Sequence, residues 1–327
     1  MDKKTIIINP LDNVAVALCD LKKGGIYEGV TLAEDITKGH KFTLKEIKAG
    51  ENIIKYGNPI ARATKDIAKG AHVHTHNVVT NLSENLEYVY EKVPTELKPV
   101  KGRKVNVYER ADGNVGIRNE IWVIPTVGCV NGQAKLIVET FKKKYGTKGF
   151  DGVFTFTHPY GCSQLGDDHE RTKLILSKMV KHPNAGGVLV LGLGCENNQM
   201  SAFKEGLGKV DESRIKFLVC QEVEDEIESG VALLKDIAGV ISKDRRKERD
   251  ISCLKVGLKC GGSDGLSGIT ANPLVGLFSD YIVAAGGTTV LTEVPEMFGA
   301  EQLLMNRAKD NATFEKVVKL ISGFKDS

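Results

Sequence analysis

The chain has 327 residues, of which 41% are hydrophobic, and its 45 lysines and arginines outnumber its 42 aspartates and glutamates by only three. This length predicts two domains with a sizeable core, and the small net charge gives no support for nucleic-acid binding. Since no stretch approaches the roughly 20 apolar residues of a membrane span and the N-terminus lacks the apolar core of a signal peptide, we expect a cytoplasmic protein.

A short unit recurs in the first ninety residues. Each copy has an acidic residue, an aliphatic residue, two polar or small residues and a glycine, and the copies end at Gly24, Gly39, Gly50 and Gly70. A glycine in such a turn supplies a positive φ, and the segments between the copies alternate at the period of a β-strand. We therefore predict a compact β-rich domain over residues 1–92.

Three histidines alternate along one of these segments, at His72, His74 and His76. Side chains two residues apart share a face of a strand, which would space the imidazoles about 6 to 7 Å apart. Neutral imidazole suits iron, zinc or nickel. All three are candidate metal ligands and His74 is also a candidate catalytic residue; the alternative is an exposed polar strand face.

A polar stretch with two prolines at residues 93–103 predicts a connector between domains. Beyond it, strand-like runs alternate with helix-like runs over residues 104–327, a pattern typical of right-handed βαβ units in a mostly parallel sheet. The predicted fold class is therefore α/β, with a small β-rich domain followed by an α/β domain.

The seven cysteines form an odd set without the spacing of a disulfide framework, and we expect free thiols. Cys19, Cys220 and Cys253 lie within or beside apolar runs and are expected to pack as small apolar residues. The others follow strand-like runs and small-residue turns, where parallel sheets build their active sites; they are Cys129, Cys162, Cys195 and Cys260. Cys129, Cys162 and Cys195 form a second candidate set of metal ligands.

Further polar residues surround two of these cysteines. His158 is a candidate base and Asp168 a candidate catalytic acid, both close in sequence to Cys162. An aspartate at this position can instead cap the helix that follows. Asn131, two residues after Cys129, is a candidate contact to substrate.

A glycine-rich segment begins at Gly261, and its residues 261–265 match the G-x-S-x-G nucleophile elbow, but no histidine follows His182 to complete a hydrolase triad. No dinucleotide or phosphate-loop pattern is complete either. We expect the segment to wrap its amides around a carboxylate or hydroxyls, with Ser263 and Asp264 as substrate contacts. Arg118 and Lys55 are candidate clamps for a substrate carboxylate, with surface salt bridges as the alternative.

Several long segments together resemble the altronate/galactarate dehydratase family of sugar-acid hydro-lyases: HVHTHN, VGIRNE, PTVGCVNG, YGCSQLGDDH, GLGCENNQ, CGGSDGLSGITANP and GGTTVLTEVPEMFGAEQLL. The resemblance runs from Asn9 to Phe324, and the N-terminal part is similar to the family's SAF (β-clip) domain. It implies an iron-dependent enzyme that dehydrates D-altronate to 2-dehydro-3-deoxy-D-gluconate in hexuronate breakdown. A related aldarate such as galactarate is the alternative substrate.

Such a reaction removes the C2 proton beside a carboxylate and expels the C3 hydroxyl, and bound iron can absorb the charge that develops. Either mononuclear Fe²⁺ on the histidines or an iron–sulfur cluster on the cysteines would serve, and the sequence leaves both open. Family members continue beyond the position matching Phe324, so a non-catalytic, substrate-binding subunit is the second hypothesis. A homo-oligomer is one expected assembly.

Overall fold

The computed structural model describes residues 3–81, 87–94, 96–259, 261–262 and 264–326. Its contacts divide the chain into two compact units, one formed by Met1–Lys101 with Leu254–Ser327 and the other by Gly102–Cys253. The predicted domains, 1–92 and 104–327, differ from this division in where they place residues 254–327. Two predicted site residues, Cys260 and Ser263, lie outside the described residues.

The N-terminal part of the first unit consists of short strands and tight turns. Its strands are β1 (Thr5–Ile6), β2 (Val14–Ala17), β3 (Ile26–Tyr27), β4 (Val30–Thr31), β5 (Lys41–Thr43), β6 (Asn52–Lys55), β7 (Asn58–Ala63), β8 (His72–Val73) and β9 (Val78–Val79). They form antiparallel sheets in the orders β1-β2-β5-β8 and β6-β7-β9, together with the hairpin β3-β4. The predicted β-rich start of the chain is confirmed.

The sequence repeat builds this region in pairs. The aliphatic residues of successive copies form antiparallel bridges, Leu21 with Ile36 and Ile47 with Ile67, and all four are buried. The acid of one copy accepts a hydrogen bond from the turn of its partner, as Asp20 Oδ1 does from the Lys38 amide at 2.8 Å. Burial of the aliphatic residues and satisfaction of the turn amides thus stabilise the same pairing.

The second unit is built on a parallel sheet. In chain order its elements are β10 (Lys104–Glu109), β11 (Val115–Gly116), β12 (Glu120–Pro125), α1 (Asn131–Tyr145), β13 (Val153–Thr155), α2 (Gly166–Val180), β14 (Ala185–Gly192), α3 (Met200–Leu207), β15 (Ile215–Val219), α4 (Glu226–Ile241) and β16 (Lys247–Asp250). The parallel strands lie in the order β13-β12-β14-β15, while β10 pairs with β11 and β16 antiparallel.

Both faces of the parallel sheet are covered by helices. Ile121 and Val123 of β12 pack with α1 and α4, whereas Trp122 and Ile124 pack with α2 and α3. Successive side chains of a strand point to opposite faces, so a strand buried on both sides is apolar throughout. The predicted α/β class is confirmed.

The rest of the first unit is formed by β17 (Lys255–Leu258), α5 (Ala271–Ala284), β18 (Thr288–Leu291), α6 (Glu301–Met305) and α7 (Asn311–Lys325). β17 and β18 are parallel. The buried carboxylate of Glu301 accepts hydrogen bonds from Tyr88 Oη at 2.9 Å and Lys325 Nζ at 2.8 Å, which ties residues 87–94 to α6 and α7. Within the described part of the chain, no helix has the length and apolar character needed to cross a bilayer.

Asn119 anchors the start of the parallel sheet. It is fully buried, its Nδ2 donates to the Ile241 carbonyl at 2.9 Å, and its Oδ1 accepts from Arg110 Nη1 at 3.0 Å. A Cβ added at Gly186 would lie 2.1 Å from this Oδ1, so β14 passes directly beside the side chain. The side-chain amide of Asn119, which directly precedes β12, therefore contacts both β14 and the end of α4.

We expect Asn119→Ala to lower the free energy of unfolding by about 2 kcal/mol, because it leaves buried polar partners without a hydrogen bond. Urea denaturation followed by circular dichroism measures this. Asn114→Ala, at an exposed asparagine in a neighbouring turn, is the matched control and should change stability by less than about 0.5 kcal/mol. Equal effects of the two changes would contradict the anchoring role.

Candidate functional site

Four histidines meet in the first unit, one more than the sequence predicted. Pairing of β5 with β8 sets Lys41 opposite Val73 and Phe42 opposite His72. The same register places His40, which directly precedes β5, opposite His74. The His40 ring stacks on His74 with centroids 5.1 Å apart and planes within 8°, and lies 5.0 Å from the His72 ring.

His74 and His76 are kept near His72 by a turn. β8 ends at Val73, and Asn77 closes the turn: its Nδ2 donates to the His72 carbonyl at 2.8 Å, and its Oδ1 accepts from the His74 amide at 3.0 Å. The ring centroids of His74 and His76 lie 5.5 Å and 5.4 Å from that of His72. The prediction of one continuous strand through all three is therefore wrong, although the three rings do lie together.

Two of these imidazoles are hydrogen bonded to each other, with His40 Nδ1 and His72 Nε2 2.8 Å apart. Burial lowers the pKa of both rings; nearby His74 and Lys41 lower that of His40 further, and His40 does the same for His72. Both are thus neutral at pH 7, the form that binds metals. Among the residues that the structure describes, no three His, Cys, Asp or Glu side chains are arranged to hold a metal ion.

The glycine-rich segment passes beside this histidine cluster (His40, His72, His74 and His76). A Cβ added at Gly39 would lie 3.5 Å from the Cα of Gly265, and one added at Gly268 would lie 2.3 Å from Tyr56 Oη. The contact at Gly268 leaves no space for a side chain, whereas at Gly39 the distance is an ordinary contact and the φ of 83° is what favours glycine. Asp264 is exposed and uses Oδ1 to accept the Leu266 amide at 2.8 Å, so it holds the turn of its own segment.

Lys55 ends β6 next to this segment. Only 8% of the residue is exposed, and its Nζ lies 4.5 Å from the centroid of the Tyr56 ring. Burial lowers the pKa of Lys55, and the nearby Asp12 carboxylate opposes that shift in part. Lys41 has a pKa lowered first by burial and then by the charge of Lys55. Two partly desolvated ammonium groups near one another favour binding of an anion.

In the second unit, the cysteines lie at the carboxyl edge of the parallel sheet, as predicted from their position after the strands. The strand order makes β12 and β14 the neighbours at which the chain reverses its direction across the sheet, the place where ligands bind in such folds. Cys129 follows β12 and Cys195 follows β14, while Cys162 follows β13. All three thiols are exposed.

Two residues that the sequence did not single out hold these loops. Glu196 is buried and its carboxylate accepts hydrogen bonds from Thr126 Oγ1 at 2.8 Å and the Gly194 amide at 2.6 Å. Asn198 is buried too, and its Nδ2 donates to the Thr126 carbonyl at 3.2 Å, whereas its Oδ1 has no hydrogen-bond partner among the residues that the structure describes. Their position directly after Cys195 was the available signal, but their burial depends on the fold.

The candidate base His158 has both ring nitrogens engaged with backbone. Its Nε2 lies 2.8 Å from the Pro125 carbonyl, and its Nδ1 accepts from the Tyr160 amide at 3.2 Å. Asn131 donates from Nδ2 to the His158 carbonyl at 2.8 Å. This geometry leaves no free lone pair on the imidazole for a substrate proton, so His158 and Asn131 hold the loop between β13 and Cys162.

Asp168 and Arg118 lie apart from one another in the second unit. The helix α2 begins at Gly166 without a side-chain cap, so the predicted capping by an aspartate is wrong and the exposed Asp168 lies in the first turn. Arg118 precedes β12, at the amino edge of the sheet. The six residues of β12 separate this edge by about 20 Å from the cysteine loops. The fold therefore does not bring Arg118 to the loops that carry the thiols.

The two candidate metal sets belong to different units. His72, His74 and His76 are in the first unit with Lys55 and Asp264, and Cys129, Cys162 and Cys195 are in the second.

The three cysteines expected to pack in the core differ in exposure. Cys220 is buried, whereas Cys19 and Cys253 are partly exposed. Burial raises the pKa of the Cys220 thiol to about 11.

Three family profiles match the chain in succession. They are described as "Altronate/galactarate dehydratase SAF domain" (residues 3–81), "D-galactarate dehydratase/Altronate hydrolase, second domain" (residues 107–242) and "D-galactarate/Altronate dehydratase, C-terminal" (residues 251–327).

Curated relatives match nearly the whole chain. Altronate dehydratase of Escherichia coli (strain K12) is 56% identical over 98% of this chain and 66% of its own length. Altronate dehydratase of Bacillus subtilis (strain 168) is 51% identical over 99% of this chain and 66% of its own length. Galactarate dehydratase (L-threo-forming) of E. coli (strain K12) is 32% identical over 96% of this chain and 64% of its own length. The chain thus spans somewhat less than two thirds of the length of these relatives.

The thiol environments predict a clear alkylation pattern. In a short iodoacetamide pulse at pH 8, Cys129, Cys162 and Cys195 should be modified because they are exposed. Cys220 should stay unmodified, since with a pKa of about 11 only about one thousandth of it is thiolate at that pH. Peptide mass spectrometry measures the pattern, and a urea-unfolded sample is the control. Labelling of native Cys220 as fast as Cys195 would contradict the structure.

Proposed function

This chain belongs to the altronate/galactarate dehydratase family, and we propose that it is a sugar-acid hydro-lyase that converts D-altronate to 2-dehydro-3-deoxy-D-gluconate. The observation that carries the proposal is the 56% identity to the altronate dehydratase of E. coli over 98% of the chain. Galactarate is the less favoured substrate, because identity to the relative named for it is 32%.

Iron is the cofactor that we assign to the histidine cluster. His40 and His72 are neutral imidazoles with His76 beside them, and nitrogen donors of this kind suit Fe²⁺. His40 Nδ1 and His72 Nε2 are hydrogen bonded to each other and the described residues contain no preformed metal site, so these two rings and that of His76 would have to turn to hold the ion. Bound there, iron would supply Lewis acidity toward the substrate carboxylate and the charge that develops on it. An iron–sulfur cluster on Cys129, Cys162 and Cys195 is the alternative.

Lys55 would bind the carboxylate of the sugar acid. Lys55 is 8% exposed as a residue and its Nζ lies 4.5 Å from the Tyr56 ring, so a substrate carboxylate would add a second negative charge to that of Asp12 beside a partly desolvated ammonium. The glycine-rich segment packs beside Tyr56, and we propose that its backbone contacts the substrate hydroxyls while the Asp264 carboxylate stabilises the turn by accepting the Leu266 amide. The substrate would thus be oriented with its C2 proton toward the imidazoles.

His74 is our candidate for the base that removes the C2 proton. It is exposed, and its Nδ1 lies 3.0 Å from Thr75 Oγ1. With the proton on Nδ1 donated to this hydroxyl, Nε2 carries the free lone pair and takes the proton from C2. In the second unit, the assignment of Asp168 as an acid stays a prediction.

The cofactor is tested by iron and acid-labile sulfide in protein purified without oxygen. We expect iron without sulfide, and loss of at least nine tenths of the iron in a His40→Ala/His72→Ala double variant. Cys129→Ser/Cys195→Ser is the matched control and should retain its iron, because the thiols belong to the other unit. Sulfide equimolar with iron, lost in the cysteine variant, would contradict the assignment in favour of a cluster.

We expect Lys55→Met to raise the KM for altronate about 10-fold or more while kcat falls less, because loss of a charged hydrogen-bond partner costs about 1.5 to 3 kcal/mol of binding. Initial rates of 2-keto acid formation measure this. Lys45→Met, at an exposed lysine just beyond β5, is the control and should leave both constants unchanged. An unchanged KM in the Lys55 variant would remove the carboxylate role.

Calorimetric titration with altronate, combined with an assay of turnover, distinguishes the hydro-lyase from a substrate-binding subunit. Turnover of altronate supports the hydro-lyase, whereas binding without turnover in iron-loaded protein would favour a substrate-binding subunit. Neither binding nor turnover would contradict both.

A further inference from the structure

We propose that Tyr56 is the catalytic acid of the dehydration and donates its hydroxyl proton to the C3 oxygen of the sugar acid as that oxygen leaves. This assignment rests on the proposed function and adds the group that the reaction needs besides a base. Hydroxide is a poor leaving group, and an acid that protonates it typically contributes a rate factor of about 10² to 10⁴. Asp168, the acid predicted from the sequence, belongs to the second unit.

Tyr56 occupies a backbone position that disfavours its side chain. The strands β6 and β7 are joined by two residues, Tyr56 and Gly57, whose φ values are 62° and 73°. A two-residue hairpin turn with positive φ at both positions normally carries asparagine, aspartate or glycine at the first, and a bulky residue there is an outlier. Strained residues of this kind cluster at active sites.

The hairpin between β3 and β4 provides a comparison. Its turn places Glu28 at the equivalent position with a φ of 50°, and Thr5 Oγ1 donates to the Glu28 carboxylate at 2.7 Å. The side chain of Glu28 is thus used within the fold. Tyr56 accepts from Asn58 Nδ2 at 3.0 Å through its backbone carbonyl, and its Oη makes no hydrogen bond within the described part of the chain. The phenol is therefore available to donate to a ligand.

The Tyr56 hydroxyl lies beside the segment that we expect to contact the substrate hydroxyls. A Cβ added at Gly268 would lie 2.3 Å from Tyr56 Oη, so the backbone of the glycine-rich segment reaches this oxygen directly. Gly265, three residues earlier, lies against Gly39, which directly precedes His40. Three residues span at most about 11 Å. Tyr56 Oη and the histidine cluster therefore border the same short stretch of chain.

Lys55 would place the substrate carboxylate next to this hydroxyl, because its Nζ lies 4.5 Å from the centroid of the Tyr56 ring. The C3 oxygen of an aldonate is attached two carbons beyond the carboxylate carbon. A sugar acid whose carboxylate binds Lys55 would therefore bring its leaving oxygen toward Tyr56. Burial raises the pKa of the Tyr56 hydroxyl, and the nearby Asp12 carboxylate raises it further. The phenol thus carries its proton at neutral pH.

The groups of this chain balance the step. His74 takes the C2 proton, the electron pair of the C2–H bond forms a double bond between C2 and C3, and the C3–O bond breaks. The departing oxygen takes the proton of Tyr56 Oη and leaves as water. The enol that remains converts to the 2-keto acid, and solvent carries the proton of the His74 imidazolium to the Tyr56 phenolate.

The test compares altronate with 3-deoxy-3-fluoro-D-altronate, whose fluoride leaves without taking a proton. In the full chain loaded with Fe²⁺ without oxygen, we expect Tyr56→Phe to lower kcat for altronate about 100-fold or more, while fluoride release stays near that of the unmodified protein. The phenylalanine ring keeps the contact with Lys55, so the melting temperature and KM should change little. Tyr27→Phe, at a tyrosine packed against the core of the small domain, is the matched control and should alter neither rate.

Equal kcat values on altronate for the Tyr56 variant and the unmodified protein would overturn the assignment while leaving the proposed function intact. A parallel fall in fluoride release, or a lowered melting temperature, would also overturn it, because Tyr56 would then hold the site in place rather than donate a proton. If the unmodified chain turned over neither compound, the proposed function itself would be contradicted, and the acid role of Tyr56 with it.

Discussion

Backbone pairing between β5 and β8 is the interaction on which the histidine cluster depends. The ladder sets Lys41 opposite Val73, and this register alone brings His40, more than thirty residues earlier in the chain, against the ring of His74. A shift of one residue would turn every side chain of a strand to the other face. The buried aliphatic pairs of the repeat hold the register, so the core of the small domain also positions its chemistry.

The second unit obeys a different constraint. Four parallel strands with helices on both faces leave their carboxyl ends as the edge where loops can gather polar groups. Buried Glu196 and Asn198 support the loops after β12 and β14, and the thiols of Cys129 and Cys195 stay exposed above them. The neighbours of His158 in the sequence suggested a base, but the Pro125 carbonyl of β12 and the Tyr160 amide engage both of its ring nitrogens.

Electrostatics link the histidine cluster to the lysines nearby. Burial lowers the pKa of His40, His72, Lys41 and Lys55, and the charge of Lys55 lowers the pKa of Lys41 further. An incoming carboxylate reverses this balance, since its charge stabilises the ammonium forms. A ligand that carries a carboxylate would therefore be stabilised in this region.

The sequence by itself determined the fold class, the glycine-closed repeat and the location of the thiols after parallel strands, because these follow from local periodicity and turn chemistry. It also indicated the family, because long motifs of the chain resemble that family's. Tertiary structure decided which residues meet. His40 joined the cluster through strand register, His74 and His76 through the turn closed by Asn77, and Arg118 fell at the amino edge of its sheet. Register, strand direction and burial are set by contacts between segments far apart in the chain, and a linear pattern does not contain them.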